Sequence, residues 1–326
     1  MTTALILGAT GFIGGHVGLA ALQRGWELRG LRRDASAVGL LGAERIAWFI
    51  GNLDEQGSLE DALRGVDLVF HAAAFYPSDG RRVPSQVAHA VQQMKNVLEA
   101  LQRAGSPPLV YTSSLSTIGR PPEGEDRLAD ERDVYVPGTL PRSAYYETKI
   151  AMETEVLRAA VVVNPTVVFG PGDARPTTGG LLIALARGFG IVSLPGWLNI
   201  VDVRDVAEGH LRAAEAGVRG QRYILGGANL RISEFMRDVA RRANVPPPRA
   251  EIPAALLRVI VRIGERLPGA SVLGNHVGAF EHWQPINCSR AERELGLKPR
   301  PLAVTLADSL RWYEEHGALK RRTAVV

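Results

Sequence analysis

The sequence predicts an α/β protein in which a doubly wound parallel sheet carries a smaller, mostly helical lobe. Three observations lead there. Short β-branched runs alternate with helical patterns through the first half of the chain, as strands and crossover helices do around a parallel sheet. The first run breaks at once into evenly spaced glycines ahead of a helical pattern. Past residue 226 helical periods dominate, with few strands between them.

The strands expected in order are "ALIL", "ELRGL", "IAWFI", "DLVFHA", "LVYT" and "VVVNPT". Residues 84–104 place Val87, Val91, Met94, Leu98 and Leu101 at steps of three and four, so a helix should lay that stripe on the sheet. A second stripe, Ala90, Val97 and Ala100, suits core or a subunit contact. A further helix is expected over residues 143–160, and "METEVLRAAVVVNP" runs from it into strand without a turn residue, so either the turn is very tight or residues are missing there. Then come proline- and glycine-rich loops, a strand and helix in "NIVDVRDVAEGHLRAAEAG" and a strand in "QRYIL". The helical segments "ISEFMRDVARRA", with Ser233 as N-cap, "AALLRVIVRIGERL" and "LADSLRWYEEHG" follow. This organisation assigns residues 1–170 to a first domain to which 199–226 return, and 171–198 with 227–326 to a second lobe. No internal repeat is visible.

A chain of 326 residues with 46% hydrophobic and 22% charged side chains is long enough for a large core and too ordinary for extensive disorder. The apolar start is too short and glycine-rich to span a membrane, and no later segment reads as a span. The single cysteine, Cys288, cannot close an internal disulfide or build a cysteine metal site; it reads as a packing residue and favours a reducing cytoplasm. The net charge of +4 is spread rather than gathered into a basic stripe, which argues against nucleic acid as partner.

The stretch "LGATGFIGG" places Gly8, Gly11 and Gly14 three apart between strand and helix. In that context Gly8 permits a tight turn, Gly11 lets backbone approach a diphosphate, and Gly14 allows close helix-to-sheet packing, a Rossmann-type dinucleotide turn. Thr10, Phe12 and Ile13 lie in the same turn, whose amides face the anion at a helix N-terminus. Gly25 should close that helix. About twenty residues further on, "LRRDAS" offers Arg32 and Arg33 to a 2′-phosphate, while Asp34 keeps a ribose-binding, NAD-type reading open. NADP is the preferred cofactor, with NAD the alternative.

"GATGFIG", "DLVFHAAA", "VYTSS", "YYETK" and "NPTVVFGPGD", in that order, resemble the extended short-chain dehydrogenase/reductases. The resemblance spans nearly the whole chain and is nearest to the dihydroflavonol-reductase-like and hopanoid-associated sugar epimerase branches. It implies Tyr145 as catalytic tyrosine, Lys149 as the lysine beside it and Ser114 as the serine that hydrogen-bonds the substrate oxygen, with Ser113 able to share that task. It also implies backbone along the cofactor at Ala72, Ala73 and Ala74, adenine contacts at Asn52 and Leu53, and a nicotinamide-facing turn at Pro165 and Val168. The family often has aspartate where Asn52 stands, which leaves that contact open. Residues 172–198 and the C-terminal lobe would line the substrate pocket, and the helices over 84–104 and 143–160 would form a homodimer.

The chemistry these residues suit is proton exchange. A free tyrosine titrates near pH 10, and a neighbouring ammonium favours its anion, so Tyr145 can trade a proton with substrate while hydride moves to or from nicotinamide. An NADPH-dependent aldehyde or ketone reductase is therefore expected. An NAD-dependent nucleotide-sugar epimerase or dehydratase is the alternative, and a non-catalytic dinucleotide sensor the second. His71 reads as a buried, hydrogen-bonded strand histidine, Tyr146, Tyr111 and Trp283 as packing, and Asp202 with Arg204 either as substrate contacts or as a structural ion pair.

Overall fold

A computed structural model describes residues 1–43, 45–73, 75, 83–135, 144–176, 178–257, 259 and 284–320. Its centre is a seven-stranded, wholly parallel sheet. The strands are β1 (Thr3–Leu7), β2 (Glu27–Arg32), β3 (Ala47–Ile50), β4 (Leu68–His71), β5 (Leu109–Thr112), β6 (Val161–Pro165) and, after three short strands placed elsewhere, β10 (Arg222–Leu225). Their spatial order is β3-β2-β1-β4-β5-β6-β10. The order reverses between β1 and β4, and at such a switch point the carboxyl ends of the strands leave a crevice for ligand.

Both faces of the sheet are covered, so its strands read as continuous apolar runs rather than alternating ones. Ala4 and Ile6 face a core shared with α1 (Phe12–Gln23) and α6 (Val203–Ala216). Leu5 and Leu7 face the opposite core, built with α2 (Gln56–Leu63), α3 (Val83–Arg103) and α4 (Ala144–Val156). On α3 the buried apolar residues are Ala90, Met94, Val97, Ala100 and Leu101, whereas Val87, Val91 and Leu98 are half-buried. The small-residue stripe thus sits deepest, because alanine lets the helix axis approach the sheet.

The expected helix over 143–160 begins among the described residues at Ala144 and ends at Val156. Its junction to β6 is a turn of four residues: the amides of Ala159 and Ala160 both reach the Val156 carbonyl, at 2.8 and 3.1 Å, and Val161 is already strand.

Three elements expected in the first domain or left open lie outside the large sheet. β7 (Val167–Phe169), β9 (Trp197–Asp202) and β11 (Ala228–Arg231) form a second sheet, so the "NIVD" strand leaves the main sheet and only the helix after it returns. That small sheet packs with α5 (Gly179–Ala186), α7 (Ile232–Arg242) and α9 (Leu302–Glu315) around Phe169, Phe235, Leu306 and Tyr313, the two phenylalanines stacked at 5.6 Å. Each such fully buried side chain contributes about 1.5–3 kcal/mol. β8 (Val192–Ser193) pairs with β12 (Ala250–Glu251), and α8 (Ser289–Leu295) packs by β10. Ser233 is not the cap of α7: the helix starts at Ile232, and Glu234 accepts the Arg231 amide at 3.0 Å, which fixes the start two residues earlier than the serine suggests. Most of the "AALLRVIVRIGERL" segment and Trp283 lie outside the described residues.

Candidate active site

The turn after β1 is tight because Gly8 adopts φ +92° and its carbonyl accepts the Gly11 amide at 2.9 Å. A Cβ on Gly8 would lie 2.6 Å from the Ala73 amide nitrogen, and one on Gly14 would collide with the Gly8 carbonyl oxygen. Helix start, strand end and the end of β4 therefore meet without room for side chains. The first turn of α1 carries no acidic residue, Gly11 is exposed, and Phe12 and Ile13 are half-exposed, so its amides are open to an anion. This glycine cradle fits a dinucleotide diphosphate. Ala72 donates its amide to Leu7 at 2.8 Å and Ala73 lies against Gly8, whereas Ala74 falls outside the described residues.

At the end of β2 the three charged residues have separate environments. Asp34 accepts from both the amide and the hydroxyl of Ser36 at 2.8 Å, bonds that hold its carboxyl below the ordinary aspartate range. Arg32 stacks on Trp48 with 4.9 Å from guanidinium carbon to ring centre, and its Nε is buried without a partner. Arg33 is exposed and has no acidic partner among the described residues. Asn52 is engaged in its own turn, accepting from Asp54 N at 2.8 Å and donating to Glu55 at 2.8 Å, while Leu53 packs in the core.

Ser114 ends the strand-to-turn segment after β5, with extended backbone and its Oγ accepting the Ser116 amide at 3.2 Å. The Tyr145 hydroxyl, from the first turn of α4, lies 3.4 Å from Ser114 Oγ and donates toward it. That is long for an O–H···O bond, roughly 2.5–3.0 Å at ordinary strength, and such contacts commonly tighten when substrate arrives. Lys149 follows one turn later on the same face, only 4% exposed. Burial pushes its ammonium down to about 8, partly opposed by the charge of Glu153. Tyr146 sits edge-on to the Tyr145 ring at 5.9 Å.

Beneath this pair several polar atoms are buried without partners: both nitrogens of His71, the Tyr111 hydroxyl and Ser113 Oγ. Burial, and secondarily the Lys149 charge, push His71 down to about 3, so it is neutral. The expectation that it would be hydrogen-bonded is thus corrected, and Tyr111, edge-on to it at 5.3 Å, shares its lack of partners. Pro165 ends β6 in the core and Val168 is half-buried on β7. Asp202 and Arg204 form a two-point ion pair at 2.7 and 2.9 Å that caps α6, joined by Asp308 and Arg300, which is the structural alternative. Within the 172–198 stretch, Asp173 is bound by the Tyr313 hydroxyl at 3.0 Å rather than turned to a ligand. Cys288 is buried, and its thiol is pushed up to about 12 by burial.

Reading the sequence missed a group behind Ser114. Glu153, Asn164, Thr117 and Arg222 form a buried hydrogen-bonded set that touches the Ser114 carbonyl. The only local sign is that Glu153 continues the Tyr145–Lys149 spacing by four more residues.

Residues 4–226 match the model of the NAD dependent epimerase/dehydratase family. The chain belongs to that family. A putative dihydroflavonol 4-reductase of Synechocystis is 32% identical, over 97% of this chain and 95% of its own length. The sterol demethylase protein B of Methylococcus capsulatus is 31% identical, over 97% of this chain and all of its own. Among solved structures, a nucleoside-diphosphate-sugar epimerase from Pseudomonas aeruginosa superposes with a TM-score of 0.82 at 25% identity, covering 98% of this chain and 99% of that one. As a member of the epimerase/dehydratase family, the protein is an NAD(P)-dependent enzyme of the oxidoreductase and epimerase class on a Rossmann fold.

Proposed function

We propose that the protein is an NADPH-dependent reductase of an aldehyde or ketone, of the dihydroflavonol-reductase type. The carrying observation is the Tyr145 hydroxyl held 3.4 Å from Ser114 Oγ with the Lys149 ammonium buried one turn on. Gly8, Thr10, Gly11, Phe12, Ile13 and Gly14 would hold the diphosphate, and Arg32 and Arg33 the 2′-phosphate. The preference for NADP rests on Asp34, whose carboxylate is already bound by Ser36, beside an Arg33 without an acidic partner among the described residues. Asn52, Leu53, Ala72, Ala73 and Ala74 would flank the adenine half, and Pro165 and Val168 the nicotinamide.

When bound, the nicotinamide supplies the hydride. Tyr145 gives its phenolic proton to the substrate oxygen as charge gathers there, and the Ser114 hydroxyl donates a hydrogen bond to the same atom. Lys149 stabilises the phenolate left behind. The neutral His71 adds no competing positive charge.

We assign residues 1–170 with 199–226 to dinucleotide binding, apart from β7 and β9, which pair in the small sheet, and 171–198 with 227–326 to substrate binding. A homodimer through α3 and α4 is part of this reading, supported by the half-buried Val87 and Val91; a sedimentation mass of one chain would remove it. The 25% identical sugar epimerase favours a second reading, redox-neutral epimerisation with retained NAD. Absorbance of reduced nicotinamide separates the two. Stoichiometric loss of NADPH with a carbonyl panel supports reduction, whereas conversion of a nucleotide sugar without net loss supports epimerisation.

A further inference from the structure

We propose that Glu153 is a positioning residue, which locks the Ser114 turn in register with the face of α4 that carries Tyr145 and Lys149. The inference rests on the catalytic reading above. Positions 145, 149 and 153 succeed one another at single turns along α4, but Glu153 points away from the crevice into a buried set, at 6% exposure. Its Oε2 lies 2.7 Å from the Thr117 hydroxyl and 2.7 Å from Asn164 Nδ2. Those two groups converge on the Ser114 carbonyl, at 2.9 Å from Thr117 Oγ1 and 3.2 Å from Asn164 Nδ2.

Proton counting shows what the acid does. Thr117 has a single hydroxyl proton, and the shorter, charge-assisted bond to Glu153 takes it. Asn164 has two, so one can serve Glu153 while the other serves Ser114 O or Thr117 Oγ1, the latter 2.9 Å away. The carboxylate therefore orients both side chains, and Asn164 is the one left with a proton for the Ser114 carbonyl, with the Thr117 hydroxyl, its own proton on Glu153, fixed beside it. Arg222 from β10 closes the set from behind, 3.3 Å from Glu153 Oε1 and bonded through Nη2 to the carbonyls of Glu131 and Asp133. α4, the Ser114 turn, β6 and β10 meet at one carboxylate.

Glu153 also acts on Lys149 at a distance, since its negative charge opposes the loss of the ammonium. The charged and titratable groups around that lysine are His71 on β4, Tyr111 on β5, and Tyr145 and Glu153 on α4, with Arg222 behind the glutamate. Among these described groups, with Tyr145 protonated, Glu153 is the one whose charge favours the charged lysine.

The test compares E153Q, E153D and T117V with the unaltered enzyme, using steady-state kinetics across pH, NADPH binding, and NMR of Cε-labelled lysine with Lys149 assigned through K149M. For E153Q the expected result is kcat lower by about 10- to 100-fold, in line with small misplacements of a reacting group. KM for NADPH should change less than about threefold on the same grounds. The Lys149 titration should move to lower pH. E153D should recover part of kcat and most of the titration, and T117V should lower kcat without moving the titration. Wild-type kcat and titration in folded E153Q would overturn the proposal while leaving the activity intact. Should the unaltered protein turn over nothing, the catalytic reading fails instead, and the lysine titration still decides whether Glu153 acts on Lys149. Should E153Q fail to fold, T117V, which keeps every charge, carries the kinetic arm: wild-type kcat there would also overturn the proposal.

Discussion

Two buried charged regions of this molecule are built in opposite ways. Around Asp202, each charge meets an opposite one: Arg204 binds it at two points, Arg300 approaches at 3.2 Å and also pairs with Asp205 at 3.1 Å, and Asp308 shares the Arg204 Nη2 that reaches Asp202. Burial acts to raise the Asp202 carboxyl, yet the bonds from Arg204 hold it below its ordinary value. Around Lys149 no carboxylate closes an ion pair among the described residues, and His71, Tyr111 and Ser113 lack partners as well. Matched charge joins β9, α6 and α9 into architecture. Unmatched charge costs stability and is kept where chemistry needs it.

Replacing groups on either side should separate these roles. The largest effect is expected from Tyr145→Phe, which removes the proton donor: kcat should fall by about a thousandfold, within the usual range for a lost general acid. NADPH affinity and the melting temperature should stay close to wild type in titration and thermal scans. Lys149→Met should lower kcat by about a hundredfold, a smaller share of the same proton-transfer term. In the unaltered enzyme the ammonium is lost as pH rises through about 8, so reduction should slow above that pH, and the variant should lose this limb. Stability runs the other way. Because the folded lysine titrates near 8 and the unfolded one near its ordinary 10.5, the unfolded chain holds more protons between those values, and stability should rise with pH across that window. Denaturant midpoints measured across it should flatten in Lys149→Met.

Asp202→Asn should do the reverse of Tyr145→Phe. Leaving Arg204 and Arg300 short of a partner should cost about 2 kcal/mol, below the full penalty for a broken buried pair because Arg204 is a third exposed. Urea unfolding reads that loss, and kcat per folded molecule should remain within about twofold of wild type if the pair acts only on stability. The smallest effect is expected at the cofactor's far end: Arg33→Ala should weaken NADPH about tenfold, one charge-assisted contact, while leaving NADH unchanged. Equal loss for both cofactors would refute the 2′-phosphate assignment.

The two regions also differ in how far the sequence discloses them. The glycine cradle is legible because it works through backbone, and three glycines between a strand and a helix leave few other uses. The parallel strands are legible through their β-branched runs. What pairing adds is not: nothing in "NIVD" says that β9 joins β7 and β11 instead of the large sheet. On α3, apolarity marks two stripes, and only packing decides that Ala90, Val97 and Ala100 lie deeper than Val87 and Val91. Tyr145, Lys149 and Ser114 are legible as letters, but their approach requires α4 to cross the end of β5. Glu153 and Arg222, 69 residues apart, carry no local mark of their bond, and the same holds for the missing partners of His71.

The four-residue turn from α4 into β6 has a mechanical consequence. Sliding α4 by one residue would demand about 1.5 Å of slack, and a connection this short, anchored at Val156 and entering the sheet at Val161, has none to release. At its C-terminal end, the helix bearing the phenol and the ammonium is therefore tethered to the sheet as a fixed jaw.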